Sequence, residues 1–239
     1  MEYQVYPDPE TLARAAAEYF VALAKSAVAE RGIFSIALAG GNTPKSLYAL
    51  LAIPQYAEQI PWDRMHIFWG DERCVPPEHP DSNFGLAQTL LFNQVPLPVE
   101  NIHRIKGEIS PEQAASKYEA ELREFFGTSP SFDLVLLGVG KEGHTASLFP
   151  EGSALNEKHR WVLAQFFPKI PAWRITLTPV AFNAAANVVF LVSGENKAGV
   201  VRQIFLEGGG LLPVRLIKPH SGRLVWLLDA AAASRLTTF

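Results

Sequence analysis

Apolar residues recur at helical spacing through Leu12, Ala16, Tyr19, Phe20, Leu23 and Ala27, and the pattern stops at Gly32. It predicts a first amphipathic helix closed by a glycine. Phe34 to Leu38 is an unbroken apolar run of strand length, ending in Gly40-Gly41. Thr43-Pro44 then reads as N-cap and first-turn proline of a helix that buries Leu47, Leu50 and Leu51. Met65 to Trp69 is a second strand, and Asp81-Ser82 opens a helix running through Leu91. Ser110-Pro111-Glu112-Gln113 has the form of a capping box before a helix that turns Tyr118, Leu122 and Phe125 inward. Phe132 to Leu137, Val188 to Val192 and Leu224 to Leu228 complete the strands, with a helix carrying Ala198, Val201 and Phe205 after Ser193-Gly194. Gly208 to Gly210 marks that helix's stop.

Near-continuous apolar strands alternating with helices imply a mostly parallel sheet covered on both faces. The expected fold is α/β, a single doubly wound, Rossmann-like sheet, and the expected organisation is one domain over residues 1–239. Pro- or Ser-rich linkers, repeats and low-complexity tracts are missing from the sequence. In such folds ligands bind beyond the carboxyl ends of the strands. Attention therefore falls on the residues after Leu38, Trp69, Leu137 and Val192.

Each of these places carries chemistry. Gly40, Gly41, Asn42, Thr43 and Lys45 form a glycine-led turn into a helix, a backbone that can approach an anion closely. The turn lacks the spacing and the Gly-Lys-Ser/Thr ending of a nucleotide-triphosphate loop. Asp71, Glu72 and Arg73 follow the second strand and supply carboxylates and a planar donor for phosphate. After Leu137, the stretch Gly138 to Gly143 contains a formal G-x-G-x-x-G, but Pro150 leaves no room for the helix that should cover a pyrophosphate. What remains is a glycine-lined strand end presenting Glu142 and His144, a carboxylate placed to orient an imidazole. Arg174, at the start of a further strand, and Lys197, in the first turn of a helix, can converge with Thr43 on one dianion.

Composition narrows the partners. The 24 acidic and 21 basic residues leave a net charge of −3, without a basic cluster, which argues against nucleic acid. No apolar run approaches the roughly 18 residues of a membrane span. Met1-Glu2-Tyr3-Gln4 lacks the charged-then-apolar pattern of a signal peptide, so the expected location is cytoplasmic. The one cysteine, Cys74, has no His or Lys neighbour in sequence and reads as structural. The six histidines show no paired metal-ligand spacing.

Taken together, Ala39 to Lys45 (AGGNTPK), Trp69 to Arg73 (WGDER), His79 to Phe84 (HPDSNF) and Gly143 to Pro150 (GHTASLFP) resemble the 6-phosphogluconolactonase family. The match runs in order to Arg223–Asp229 (RLVWLLD), and a related family, glucosamine-6-phosphate deaminase/isomerase, shares the scaffold. The resemblance implies hydrolysis of 6-phospho-D-glucono-1,5-lactone to 6-phosphogluconate in the oxidative pentose phosphate pathway, without metal or organic cofactor. His144, Glu142, Asp71 and Arg73 are the expected catalytic group, with His144 as general base. Gly40, Gly41, Asn42, Thr43, Lys45, Arg174 and Lys197 are the expected phosphate site. A monomer or weak homodimer acting on a small sugar phosphate is the accompanying expectation. One departure stands in the central motif: the family usually has Asp where this chain has Glu142. The related deaminases place a Glu where this chain has Phe149, and phenylalanine cannot relay a proton. A non-catalytic sugar-phosphate sensor is the other alternative, but no basic helix-turn-helix precedes residue 34.

Overall fold

The computed structural model describes residues 2–168, 171–208 and 210–236. Met1, and Gly209 of the predicted helix stop, lie outside the described residues. Strand β1 (Glu2–Tyr6) leads into helix α1 (Pro9–Arg31), and β2 (Phe34–Leu38) into α2 (Asn42–Leu51) and the short α3 (Pro54–Ala57). After β3 (Met65–Trp69) come β4 (Asp71–Arg73), α4 (Asn83–Leu90), α5 (Pro111–Phe126) and β5 (Leu134–Leu137). The chain closes with β6 (Val162–Phe167), β7 (Ala172–Leu177), α6 (Pro179–Phe182), β8 (Asn187–Val192), α7 (Ala198–Phe205) and β9 (Arg223–Asp229).

Six strands pair in the order β1-β9-β8-β5-β2-β3, all in parallel. The register shows why both faces are covered. Phe34 pairs with Met65 and Ala37 with Phe68, so Phe34 and Phe68 point to opposite faces. Phe20 of α1 packs on Phe34, whereas Phe125 of α5 packs on Phe68. The doubly wound, mostly parallel sheet expected from the sequence is borne out. A second sheet, β4-β7-β6, is antiparallel and joins it. Its strand β4 is too short, and β1 too polar, to stand out as strands in the sequence, and the apolar run of β6 is a further strand not predicted from the sequence.

Two expected caps are corrected. Helix α2 starts at Asn42 with Gly41 as N-cap, at φ 96°, so Thr43 lies inside the first turn and caps nothing. Ser110 precedes α5 as expected but makes no side-chain capping bond. By contrast, Ser82 accepts from Gly85 N at 3.0 Å and caps α4 as read. Gly32, at φ 79°, closes α1.

Strand order reverses between β2 and β5: from β2 the chain passes to β3 on one side, then returns to β5 on the other. The loops leaving β2 and β5 therefore diverge and open a crevice at their carboxyl ends. The β3 end of this region is pinned from α5. Tyr118 Oη accepts from Trp69 N at 2.8 Å and donates to Trp69 O at 3.0 Å, one residue before Gly70-Asp71. Tyr118→Phe leaves both buried backbone groups without that partner. It should lower unfolding free energy by about 1–3 kcal/mol in urea titration, the usual cost of orphaned buried polar groups.

Candidate active site

Seven of the eleven expected residues converge on a cavity of about 320 Å³ in the crevice: Gly40, Gly41, Asn42 and Thr43 from the β2–α2 turn, with Arg73, His144 and Lys197. Asp71 joins them, buried to 7% exposure. The remaining three are placed otherwise. Lys45 is exposed and off the cavity wall, because it falls on the outer side of α2's first turn. Arg174 stands beside Arg73, its register partner across the β4–β7 ladder, without lining the cavity. Burial and the adjacent Arg73 charge push the Arg174 guanidinium pKa down, and among the described residues no carboxylate pairs with it. Glu142 faces a different, more apolar cavity of about 830 Å³ beyond Phe149, lined also by Phe166, Phe167 and Trp173.

His144 sits on the loop leaving β5. Gly140 N donates to His144 O at 2.8 Å and Gly143 N to Gly140 O at 2.9 Å, closing a tight turn. A Cβ on Gly140 would fall 2.0 Å from His144 Nδ1, so only glycine lets the ring lie there. The other face of the imidazole stacks on Phe149, ring centroids 4.2 Å apart. No helix follows within this loop, which removes the dinucleotide reading of its glycines. Burial drives the imidazole pKa below its ordinary 6.5, and Lys197 adds to the fall; Glu142 and Asp71 oppose it. Burial thus favours the neutral ring at pH 7.

Glu142 Oε1 lies 3.1 Å from His144 Nδ1. Yet Nδ1 is buried without a hydrogen bond of acceptable angle, so the carboxylate lies against the ring without a directed bond. The expected carboxylate–imidazole pairing thus exists in proximity only.

Asp71 is held more firmly. Ser147 Oγ donates to Asp71 Oδ2 at 2.6 Å, and Asn83 Nδ2 donates to Asp71 O at 2.8 Å. Asn83 is itself fixed: Glu72 accepts from Asn83 N and Phe84 N, both at 2.8 Å, and from Ser82 Oγ. Glu72 is thus the clamp on the amino end of α4, and burial pushes its carboxyl pKa up. Gly40 has no side chain because Asn83 occupies that space, 1.8 Å from where a Cβ would lie. Asn83, Ser147, Ser193 and Asn196 belong to this site and were not singled out as functional from sequence. The motifs around Asn83 and Ser147 were visible, but their contacts with Asp71 span 12 and 76 residues of chain. Cys74 is half-buried, and burial pushes its thiol to about 11, which fits a structural role.

The cavity brings an open helix start, two cationic side chains and an imidazole together. Gly41, Asn42 and Thr43 open α2 with no side-chain cap, so first-turn N–H groups and the helix dipole face the crevice. Lys197 adds a positive charge, and Arg73 Nε is buried there without a partner. Among the described residues no group of three or more His, Cys, Asp or Glu is arranged to hold a metal ion.

A doubly wound sheet that gathers a glycine-led helix start, a lysine and a largely buried imidazole at its switch point has the architecture of an α/β enzyme with its crevice at the strand ends. The chain belongs to the glucosamine-6-phosphate isomerases/6-phosphogluconolactonase family, whose model matches residues 7–226. It is 42% identical to a 6-phosphogluconolactonase of a Nostoc species over 98% of both chains. It is 45% identical to a 6-phosphogluconolactonase of a Synechocystis species over 88% of each. The solved structure of 6-phosphogluconolactonase from Trypanosoma cruzi superposes with a TM-score of 0.87 at 30% identity, over 99% of this chain and 97% of that one.

The His144 environment has a direct spectroscopic test. In an NMR titration its imidazole should protonate below pH 6.5, and Glu142→Gln, which removes a charge favouring the imidazolium, should move the midpoint lower still. A midpoint above 6.5 in the parent protein would contradict the burial argument.

Proposed function

We propose that this chain hydrolyses 6-phospho-D-glucono-1,5-lactone to 6-phosphogluconate, the second step of the oxidative pentose phosphate pathway. The observation that carries the reading is the largely buried imidazole of His144 lining one cavity with Lys197 and the Gly40–Thr43 helix start.

A lactone is a cyclic ester, and its barrier lies in water attack and in charge developing on the carbonyl oxygen. Nδ1 of His144 is buried and lies nearest Glu142, whose charge favours the proton on that nitrogen. Nε2 is then the lone-pair base. It takes a proton from water as the water oxygen bonds to the lactone carbon. The tetrahedral intermediate collapses by breaking the bond to the ring oxygen, and the imidazolium returns its proton there. Asp71 and Glu142 stabilise the transient imidazolium, since both favour the charged ring. The unpartnered Arg73 Nε–H is the donor we assign to the developing oxyanion. The phosphate, remote from the reacting carbon, is held by the Gly40–Thr43 turn and Lys197, with Arg174 adding long-range positive charge. Every step uses water and this chain's own side chains.

Phe149 favours this reaction over deamination of glucosamine 6-phosphate. It stacks on the imidazole, so the position touches the base, and it offers no proton there. The same proposal takes residues 1–239 as one lactonase domain with no nucleic-acid or membrane partner, in the cytoplasm, as a monomer or weak homodimer. The full-length match to the Nostoc relative supports the single-domain extent. No helix of the described residues is long and apolar enough to cross a membrane. Sedimentation of the purified protein reads the oligomeric state.

The decisive assay generates the phosphorylated lactone in situ and compares its decay with and without protein. His144→Ala should lower kcat by about 10²-fold or more, the scale of lost general-base catalysis. Full turnover in that variant, after correction for spontaneous hydrolysis, rejects the base assignment. Ammonia release from glucosamine 6-phosphate would favour the deaminase instead.

A further inference from the structure

Asp229 ends β9 with its side chain fully buried, and no step above employs it. It follows the Val192–Leu228 pair of the parallel β8–β9 ladder, so it stands beside the loop that leaves β8. Asp229 Oδ2 accepts from Ser193 Oγ and from Gly194 N at 3.0 Å, while Oδ1 accepts from Ala232 N at 2.7 Å. Gly194 is at φ 99°, a conformation that side chains rarely adopt, and this twist aims its N–H at the carboxylate. On its other side, Gly194 O accepts from Lys197 N at 3.0 Å. One residue is therefore tied to Asp229 through its amide and to Lys197 through its carbonyl.

A buried carboxylate met, among the described residues, by neutral donors is expensive to desolvate, and its hydrogen bonds are short and directional in return. The donors it collects belong mainly to the turn that leads into the cavity wall, where Ser193, Asn196 and Lys197 stand. We propose that Asp229 is a positioning residue for phosphate recognition: it clamps the Ser193–Gly194 turn, and the clamped turn sets where Lys197 meets the dianion. The proposal rests on the reading of Lys197 as a phosphate ligand. It gives Asp229 no contact with substrate.

Asp229→Asn is nearly isosteric but replaces one acceptor oxygen with an NH₂ facing the Ser193 and Gly194 donors. It should raise KM for the phosphorylated lactone by about tenfold, the scale of losing a charge-assisted hydrogen bond, with kcat within about twofold. Hydrolysis of the unphosphorylated glucono-1,5-lactone should be unchanged. In a Lys197→Met background the same substitution should add nothing, because the group it positions is gone. Ser193→Ala, which leaves the Asp229–Ala232 contact intact, should shift KM in the same direction by about threefold and serves if Asp229→Asn does not fold. Unchanged KM, equal losses on both lactones, or full additivity with Lys197→Met overturns the proposal. Binding of inorganic phosphate, followed by NMR in both proteins, separates the two readings. A parent protein that binds phosphate but turns over no lactone rejects the lactonase assignment alone. Equal phosphate affinity in parent and Asp229→Asn rejects the clamp alone.

Discussion

The site depends on one steric fact, the imidazole of His144 lying in the space that a Cβ on Gly140 would fill. Because the ring packs there, with Phe149 across its other face, it is largely shut from solvent. Burial then disfavours the imidazolium and leaves a lone pair available at neutral pH. The same packing closes the loop, since Gly140 N and His144 O are hydrogen-bonded across it. Neutrality, orientation and loop shape thus have a common origin in a missing methyl group.

Around this imidazole, charges are sorted by how tightly they are held. Asp71 is fixed through Ser147 and Asn83, and Asn83 through Glu72, so the carboxylate nearest the cavity is rigid. Glu142 is half-exposed and meets the ring without a directed bond. The extra methylene of Glu142 relative to the Asp usual in this family is accommodated by that looseness. The cationic side is arranged differently: the Arg73 guanidinium keeps an unpartnered N–H and Arg174 stands beside it without a carboxylate partner. Two guanidinium groups without an ion-pair partner among the described residues, near an uncapped helix start, are an arrangement suited to an incoming dianion.

The sheet makes these pieces neighbours. The β2–α2 turn, the β3–β4 junction, the β5 loop and the β8 loop are far apart in sequence but share the carboxyl ends of parallel strands. The small antiparallel sheet extends the wall, since β4 carries Asp71 and Arg73 and β7 sets Arg174 opposite.

Much of this was legible in the chain itself. Phe34–Leu38 and Met65–Trp69 declare themselves by unbroken apolar runs, because strands buried on both faces need apolar residues at every position. The glycine turn and the GHTASLFP stretch announce their chemistry, since close backbone approach and a presented imidazole require those residue types in order. Local pattern failed where energetics were not local. Thr43 looked like a cap, but Gly41 turns the chain and leaves the helix start open; Lys45 looked like a phosphate ligand, but helical geometry turns it outward. Of the small sheet only β7 is legible in the chain, since β4 is three residues long. Sequence by itself determined most of the strands and helices of the main sheet, their alternation and the residue types of the site, because these follow from periodicity and backbone sterics. Only the tertiary structure decided that Asn83 and Ser147 hold Asp71 and that Glu142 lines a different cavity from His144, because such contacts join positions whose distance along the chain says nothing of their distance in space.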